Sequence, residues 1–274
     1  MTTANRSVLP GLRLSLGFTI TYLTLLVIIP LFACIAQAAH LSLPQFVDAA
    51  FTPRAMSAYY LTFGCSAIAA ALNLFFGFLI AWVFVRYDFP FKRLADSLID
   101  LPFALPTAVA GLVYASLYVE NGWLGRFLVP LGIHGAYSRS AIVLVLTFIG
   151  LPFVVRTVQP VLEGFDAEVE EAAVSLGATR WQTFRLVLLP PLWPALMTGF
   201  SLAFARALGE YGSVIFVSGN VPFYSEIAPK LIVEQLEQYA YSEAAAIAVV
   251  MLGASFVMLI VINLLERRRM RIDG

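Results

Sequence analysis

Charged residues are scarce in this chain. Asp, Glu, Lys and Arg make up 12% of its 274 residues, whereas a soluble domain carries about 25%. Apolar residues make up 60%, and the mean hydropathy is +0.85. This composition excludes an ordinary soluble fold and predicts an integral membrane protein. Because the formal net charge is zero, the overall charge gives no sign of a nucleic-acid partner.

Side chains that commonly carry catalysis or bind metals are also few. The chain has two cysteines and two histidines, and its only lysines are Lys92 and Lys230. Neither lysine follows Gly or precedes Ser or Thr, which excludes a phosphate-binding P-loop, and no HExxH or GxSxG occurs. Cys34 and Cys65 fall in apolar runs, which favours packed free thiols over a disulfide or metal site. The sequence therefore predicts no metal or cofactor in this chain and disfavours an intramembrane enzyme.

Six apolar runs are each long enough to cross a bilayer, which needs about 20 helical residues. They are 14–38, 58–84, 98–118, 139–162, 193–217 and 244–265. The first run is longer than the roughly 7–15 residues of a signal-peptide core, so we interpret it as a retained helix. We expect one six-helix transmembrane domain over 14–265, a cytoplasmic N-terminus over 1–13 and a basic cytoplasmic tail over 266–274.

The distribution of Lys and Arg predicts the orientation. If the N-terminus is cytoplasmic, twelve of these residues lie on that side, four lie on the other, and Arg206 lies inside span five. The twelve are Arg6, Arg13, Arg86, Lys92, Arg93, Arg156, Arg180, Arg185, Arg267, Arg268, Arg269 and Arg271; the four are Arg54, Arg126, Arg139 and Lys230. The positive-inside rule then predicts that both termini are cytoplasmic.

The most charged segment, 163–190, separates spans four and five on the cytoplasmic side. Asp166 is expected to cap a first short helix, and Gly177 to end it in the left-handed conformation. One apolar stripe follows helical spacing along this helix: Val169, Ala172, Ala173 and Leu176. A helix of about ten residues is too short to span a bilayer, so we expect it at the membrane surface.

A second short helix is expected directly after the first. Thr179 and Gln182 form a capping-box pattern at its start. Pro190-Pro191 is expected to end it. The two helices would then form one surface unit with a face left for another protein.

The spacing within this unit resembles a known motif. Glu171-Ala172-Ala173, then three residues, Gly177, nine residues and Val187-Leu188-Leu189-Pro190 resemble the EAA motif of ABC-importer permeases, with Val187 in place of Ile. The resemblance implies that the first helix couples the permease to a cytoplasmic ATPase. It implies these coupling residues: Glu170, Glu171, Ala172, Ala173, Gly177, Leu189 and Pro190.

Three further stretches narrow the resemblance. They are Asp100–Gly111 (DLPFALPTAVAG), Leu151–Pro160 (LPFVVRTVQP) and Arg206–Gly212 (RALGEYG). Together with the EAA segment they resemble the T-subunit family of sulfate/thiosulfate permeases, from about Leu9 to Leu265. What the resemblance implies is an all-α, six-helix, type I (MetI-like) ABC-importer permease of the bacterial inner membrane, which performs no catalysis itself.

The resemblance also implies the partners. They are a second permease subunit of the W type, two cytoplasmic ATPase subunits that bind ATP and Mg²⁺, and a periplasmic sulfate/thiosulfate-binding protein. Two alternatives stay open. One is a molybdate or tungstate permease, whose helix-three stretch usually has adjacent prolines where this chain has Pro106-Thr107. The other is an ATP-independent anion transporter or channel.

Arg206 and Glu210 are the only charges well inside a span. A lone charge near the bilayer centre costs roughly 2.5–3.5 kcal/mol on insertion scales, so both should face protein or water. Since they are four positions apart on one helical face, they can pair. Two interpretations remain open: a structural pair that also contacts the partner permease, and a path on which Arg206 assists an anion while Glu210 weakens its binding.

Prolines and one arginine mark other candidate positions near the membrane. Pro102 and Pro106 are expected to distort span three, either along the translocation path or as a packing kink. Arg156, near the cytoplasmic end of span four, is expected to be an interfacial anchor. Ser225–Gln238 has an amphipathic pattern that predicts a short outer helix, interpreted as a lid rather than a docking site.

Overall fold

The computed structural model describes residues 12–270. The predicted N-terminus and basic tail fall partly outside these residues, over 1–11 and 271–274. Within residues 12–270 the chain is mostly helical and contains no strand.

The α-helices are, in chain order, α1 (Leu12–Leu23), α2 (Ile29–Ala38), α3 (Leu43–Ala50), α4 (Pro53–Arg86), α5 (Lys92–Ile99), α6 (Leu101–Ala104), α7 (Thr107–Tyr118), α8 (Gly125–Leu128), α9 (Arg139–Glu163), α10 (Ala167–Ser175), α11 (Arg180–Gln182), α12 (Leu189–Leu208), α13 (Val214–Val217), α14 (Ala228–Glu237) and α15 (Tyr241–Met270). Two π-helical turns cover Thr24–Ile28 and Thr183–Leu188, and a 3-10 turn covers Val129–Leu131.

Five helical stretches between residues 12 and 270 are long and apolar enough to cross a membrane. They are Leu14–Ala38, Pro53–Arg86, Arg139–Glu163, Arg180–Leu208 and Tyr241–Leu264. They correspond to predicted spans one, two, four, five and six. The predicted count of six spans therefore depends on span three.

Span three is divided in the structure. Instead of one helix over 98–118 there are α5, α6 and α7, and the longest apolar piece is the shorter helix Thr107–Tyr118. The break lies at Leu105, whose ψ of 132° is extended, as is favoured before a proline. Pro106 then precedes the first residue of α7. The predicted distortion is present, and six spans remains a prediction.

The centre of the bundle is formed by α4, α9 and α12, which contact one another along their lengths. Glycines make these contacts close. A Cβ added to Gly77 would lie 2.8 Å from the Val154 side chain, and one added to Gly199 would lie 3.0 Å from the Val154 Cα. Gly150 similarly leaves room for the Asn73 amide, whose Nδ2 lies 2.3 Å from an added Cβ. Small residues let helix backbones approach where surrounding lipid supplies no hydrophobic drive.

The first helical stretch is peripheral. No residue in its most apolar window is buried within the chain, and Leu14 and Phe18 are 80% and 72% exposed. Its second half, α2, packs on α15. The first half therefore adds little to the core of this chain.

Span five begins earlier than the sequence predicts. The prediction that Pro190-Pro191 ends a separate second helix is wrong: Arg180–Leu208 is one 29-residue helical stretch. The reason is the π-helical turn before the prolines, in which the Leu189 N–H donates to the Phe184 carbonyl, five residues back. The prolines at the start of α12 have no N–H group to donate. Because the wider turn before them has already interrupted the α-helical hydrogen-bond pattern, the missing donors do not end the helix.

Candidate coupling segment and intramembrane charge pair

The helix α10 begins at a cap and ends at a glycine. The Glu168 N–H donates to Asp166 Oδ1 at 3.1 Å, so Asp166 caps the helix as predicted. Gly177 has a φ of +87°, and the Ala178 N–H donates to the Ala173 carbonyl at 3.0 Å. This is a Schellman ending, which needs the left-handed glycine.

A second cap follows within two residues. The Thr179 N–H donates to Gln182 Oε1 at 2.8 Å, and the Gln182 N–H donates back to Thr179 Oγ1 at 3.3 Å. The predicted capping box is thus present. A Cβ added to Gly177 would meet nothing within 4 Å, so the backbone conformation, and not space, requires glycine there. These two consecutive caps fix the angle between α10 and span five.

The apolar stripe of α10 is not covered by the other residues of the described range, 12–270. Val169 is 49% exposed, Leu176 is 89% exposed, and Val174 beside them is 59% exposed. Ala172 is exposed and Ala173 is half-buried. An exposed apolar face beside acidic residues is typical of a surface that another protein covers.

Glu170 has a partner inside the chain. Its carboxylate forms an ion pair with the Arg86 guanidinium at the end of α4, and both side chains are about three-quarters buried. That guanidinium stacks over the Trp82 ring, 5.0 Å from its centroid, and the Trp82 ring lies 6.0 Å from that of Phe184. Glu171 is exposed. Of the two predicted coupling glutamates, Glu170 therefore ties α10 to the bundle and Glu171 remains available to a partner.

Leu189 and Pro190, the last predicted coupling residues, lie at the start of α12. Leu189 is half-buried and Pro190 is exposed. The buried side chain of this turn is Leu188, 3% exposed, which belongs to the same core cluster as Leu192. Leu188 therefore anchors the base of the coupling segment to the bundle.

Arg206 and Glu210 form the predicted pair. Arg206 Nη1 lies 2.5 Å from Glu210 Oε2. The Glu210 side chain is 2% exposed, whereas that of Arg206 is 35% exposed. Glu210 Oε1 also accepts hydrogen bonds from the Ser213 N–H and Oγ–H, each at 3.0 Å. The carboxylate thus joins the end of α12 to the turn that leads into α13.

This turn packs against the division in span three. A Cβ added to Gly111 would lie 2.3 Å from the Ser213 carbonyl oxygen, and one added to Gly212 would lie 2.4 Å from Thr107 Oγ1. Pro106 directly precedes Thr107 and so borders this junction. The interruptions of spans three and five therefore meet. This contact joins positions about a hundred residues apart, and no local sequence pattern predicts it.

The other half of span three is attached elsewhere. Arg156 on α9 donates to both Asp100 carboxylate oxygens, at 2.9 and 2.7 Å, and to Asp96 Oδ1 at 2.7 Å. On the same side of the bend at Leu105, Phe103 packs edge-on against Phe153 at 5.1 Å, and Pro102 is the second residue of α6. Arg156 was predicted as an interfacial anchor, and its acidic partners were missed because they lie 56 and 60 positions earlier in the chain. Pro102 therefore lies in a part of span three that is attached to α9.

The opposite end of the molecule carries a second ionic cluster. Arg54 forms a two-bond pair with Glu226, at 2.7 and 2.6 Å, and also contacts Glu234 at 2.9 Å. Hydrogen bonds from Arg54, and then from Lys230, hold the pKa of Glu234 below its ordinary value. The predicted outer helix is present as α14, and the Ala228 N–H at its start donates to Thr62 Oγ1 at 2.9 Å. These contacts attach α14 to α4, and its role as a lid remains a prediction.

A family profile described as "Binding-protein-dependent transport system inner membrane component" matches residues 73–271. The chain belongs to this family. Transport-system components of this kind are multi-pass membrane proteins, which agrees with the long apolar helices described above.

Relatives of this inner membrane component have more specific names. The sulfate transport system permease protein CysT of Synechococcus elongatus is 51% identical over 266 residues, covering 97% of this chain and 96% of the relative. The protein of the same name from Escherichia coli K12 is 46% identical over 265 residues, with the same coverage. The resemblance to the sulfate permease family is thereby confirmed. Because these relatives are permeases, this component is a translocation subunit and not an enzyme.

Solved structures show the same fold. A bacterial ABC transporter involved in the import of the acidic polysaccharide alginate matches with a TM-score of 0.77 at 16% identity, covering 94% of this chain and 95% of that one. The alginate transporter in complex with an alginate pentasaccharide-bound periplasmic protein also matches with a TM-score of 0.77, at 18% identity and 94% coverage of both chains. The predicted all-α, type I ABC-importer permease fold is confirmed.

Proposed function

We propose that this chain is the T-type permease subunit of an ATP-driven importer of sulfate and thiosulfate. The observation that carries the proposal is α10: a short capped helix with an exposed apolar face, joined rigidly to a membrane-spanning helix. The names of relatives about half identical over nearly the whole chain support sulfate as the substrate.

The proposed complex has further subunits. They are a second permease of the W type, two cytoplasmic ATPase subunits that bind ATP and Mg²⁺, and a periplasmic protein that binds sulfate or thiosulfate. The single transmembrane domain covers 14–265 in the bacterial inner membrane, surrounded by lipid, with the segments 1–13 and 266–274 in the cytoplasm. The excess of Lys and Arg on one side supports this orientation.

The coupling segment 163–190 would transmit the ATPase motion. Glu171, Ala172 and Ala173 would enter the ATPase surface, where small alanines permit close backbone approach. Gly177 would fix the angle of α10, and Glu170 would hold the helix to Arg86. Leu189 and Pro190 would carry the motion onward as part of Arg180–Leu208.

A continuous helix makes this transmission direct. At 1.5 Å per residue, the 29 residues of Arg180–Leu208 are about 43 Å long. Motion of α10 at one end would therefore reach Gly209 at the other without an intervening loop. Alternating access would follow from displacement of spans against one another, with no covalent chemistry in this chain.

We also propose that Arg206 contacts the anion during passage. Its guanidinium is about one-third exposed while its partner Glu210 is buried, so the positive group faces open space. Half-neutralised by Glu210, Arg206 would attract an anion without retaining it, which passage requires. Pro106 borders the same junction. Pro102 lies on the part of span three that is attached to α9, so it would shape the path only indirectly, through the bend at Leu105.

The test is ATP hydrolysis and uptake by the complete complex in proteoliposomes, with the binding protein loaded with sulfate, thiosulfate or molybdate. We expect sulfate and thiosulfate to stimulate hydrolysis and enter the vesicles. Stimulation by molybdate alone would overturn the substrate. Sulfate uptake without nucleotide would indicate the ATP-independent transporter instead.

A further inference from the structure

A small cavity lies at the end of the bundle away from the coupling segment. It encloses about 390 Å³, room for roughly a dozen water molecules, and is lined mainly by Tyr118, Glu120, His134, Tyr137 and Tyr224. We call it the outer cup. Its residues flank the start of α9, whereas the coupling segment follows the end of that helix. The 25 residues of α9 separate these ends by about 37 Å.

The lining combines aromatic rings with a carboxylate. Glu120 is exposed, and none of the ion pairs found between residues 12 and 270 includes it. Aromatic faces attract cations through the ring quadrupole, and a nearby carboxylate adds a full negative charge. Three tyrosines with one glutamate therefore suit a cationic group with an apolar stem.

One ring of the cup already binds a guanidinium. The Arg139 guanidinium stacks over Tyr224, 4.9 Å from the ring centroid, and Arg139 Nε donates to the Tyr224 carbonyl at 2.6 Å. Arg139 lines a separate cavity between α4 and α9 and does not line the cup. Tyr224 thus contacts the cation of the other cavity, and Glu120 has no ion-pair partner among residues 12–270.

The walls of the cup are held in place. A Cβ added to Gly135 would lie 2.3 Å from Cδ1 of the Tyr118 ring, so the loop before α9 packs tightly on that ring. The Ser138 Oγ–H donates to the His134 carbonyl at 2.7 Å. Preorganised walls reduce the ordering that binding would otherwise require.

Backbone strain is concentrated around the cup. Five non-glycine residues in the described chain have positive φ, and three of them, Tyr137, Asn220 and Phe223, belong to the two loops that form or adjoin its wall. Tyr137 has a φ of +52°, which is unfavourable for a bulky residue. Such strain persists where the surrounding structure imposes it, and it is common at ligand clamps.

We propose that the outer cup receives a lysine or arginine side chain of the protein that delivers the anion. The inference rests on the proposed function, which orients this end of the bundle toward that protein. Exposed aromatic side chains near the cup in sequence, Trp123 at 66% and Phe223 at 58%, favour a protein surface over a small cation. Aromatic residues around a buried cationic anchor are a common composition of protein interfaces.

The test is direct binding, measured without ATP. Both permease subunits, with their ATPases, are placed in lipid nanodiscs and titrated with purified, sulfate-loaded binding protein. We expect Glu120→Gln to weaken this binding about five- to tenfold and to reduce its salt dependence, because a charge pair is lost. The matched control is Glu237→Gln, which removes another exposed carboxylate from the same end of the molecule and should leave binding unchanged.

A cross-link locates the contact. With p-benzoylphenylalanine in place of Tyr137, irradiation should join the complex to the binding protein within a few residues of a lysine or arginine. Unchanged affinity of Glu120→Gln, or equal weakening by both glutamine variants, would overturn the proposal. A third outcome would also overturn the proposal. If millimolar methylammonium raised the thermal midpoint only when Glu120 is present, and the affinity for binding protein did not depend on Glu120, the occupant would be a small cation.

The readout separates this inference from the proposed function. If the wild-type complex binds its partner through Glu120 but imports no sulfate with ATP, the proposed function fails and the cup assignment stands. If sulfate is imported normally by Glu120→Gln with unaltered half-saturation by binding protein, the cup assignment alone fails.

Discussion

Spans three and five both contain prolines in their first halves, yet only one of them is broken there. Before Pro106 the chain is extended at Leu105 and α6 does not continue into α7. Before Pro190 a π-helical turn comes first, and the helix continues. A proline therefore does not by itself decide continuity; the conformation of the preceding turn does.

Because of this difference, the two spans have different mechanical roles. Span five forms one continuous helix from Arg180 to Leu208. Span three is held in two places, by Arg156 on one side of its bend and by the Gly111–Ser213 contact on the other. Motion entering at α10 would move span five as a unit, while span three would bend at Leu105.

A substitution at the contact between the two interruptions should have the largest effect. In Gly111→Val the new Cβ would overlap the Ser213 backbone, which cannot rotate away as a side chain can. Overpacking usually costs about 1–3 kcal/mol, and we expect the upper end here, with about a tenfold loss of folded protein after detergent extraction. Gly64→Val is the matched control, because its Cβ would meet nothing within 4 Å. Equal yields of the two variants would contradict the close contact.

A substitution at the entry to span five should have the next largest effect. Gly177→Val forces a β-branched residue to a φ of +87°, which costs of order 1–3 kcal/mol, and unwinding of the junction would relieve it. We expect ATP-driven uptake to fall about tenfold while the thermal unfolding midpoint barely changes, because Gly177 is exposed. Gly164→Ala, at a φ of −81°, should transport normally. Normal uptake by Gly177→Val would count against the coupling assignment.

The end of span five distinguishes the two interpretations of its charge pair. Arg206→Gln leaves the Glu210 carboxylate buried without its cation, so we expect uptake to fall about fivefold and stability to fall as well. In the double variant Arg206→Gln with Glu210→Gln, the buried charge is also removed. If Arg206 serves the path, the double variant regains thermal stability but not uptake; recovery of both would establish a structural pair. Arg126→Gln, an exposed arginine elsewhere, controls for general loss of positive charge.

The attachment of span three should give the smallest effect. Arg156→Gln removes the ion pairs that join Asp96 and Asp100 to α9, but the side chains of all three residues are about one-third to one-half exposed. Exposed ion pairs contribute about 0.2–1 kcal/mol each, so we expect the thermal midpoint to fall by a few degrees. Arg93→Gln, which removes an exposed arginine from α5, is the control and should not change the thermal midpoint. If Arg156→Gln lost as much folded protein after detergent extraction as Gly111→Val, span three would depend mainly on its attachment to α9.

Local signals in the sequence predicted local structure well. The Asp166 cap, the left-handed Gly177 and the Thr179–Gln182 capping box each depend on residues within a few positions of one another, and all three are present. The prediction that the second helix ends at Pro190 is wrong, because no sequence signature distinguishes a π-helical turn from an α-helical one. Local rules therefore described the turns of the coupling segment but not its continuity.

Partners distant in the chain could not be predicted. Arg86 and Glu170 are 84 positions apart, and no periodicity joins them. Gly111 ends the stretch Asp100–Gly111 in span three, but nothing in the sequence indicates that Ser213 packs directly against it. The Arg206–Glu210 pair was predictable only because its members are four residues apart on one helix. The candidate site was thus predicted residue by residue, and its assembly was not.

The π-helical turn at Thr183–Leu188 also sets a helical phase. Such a turn is equivalent to one residue inserted into an α-helix. Each residue advances an α-helix by about 100°, so removing one residue from this turn would rotate α10 by about that angle around the axis of span five. The direction in which Val174 and Leu176 face therefore depends on the number of residues in this single turn.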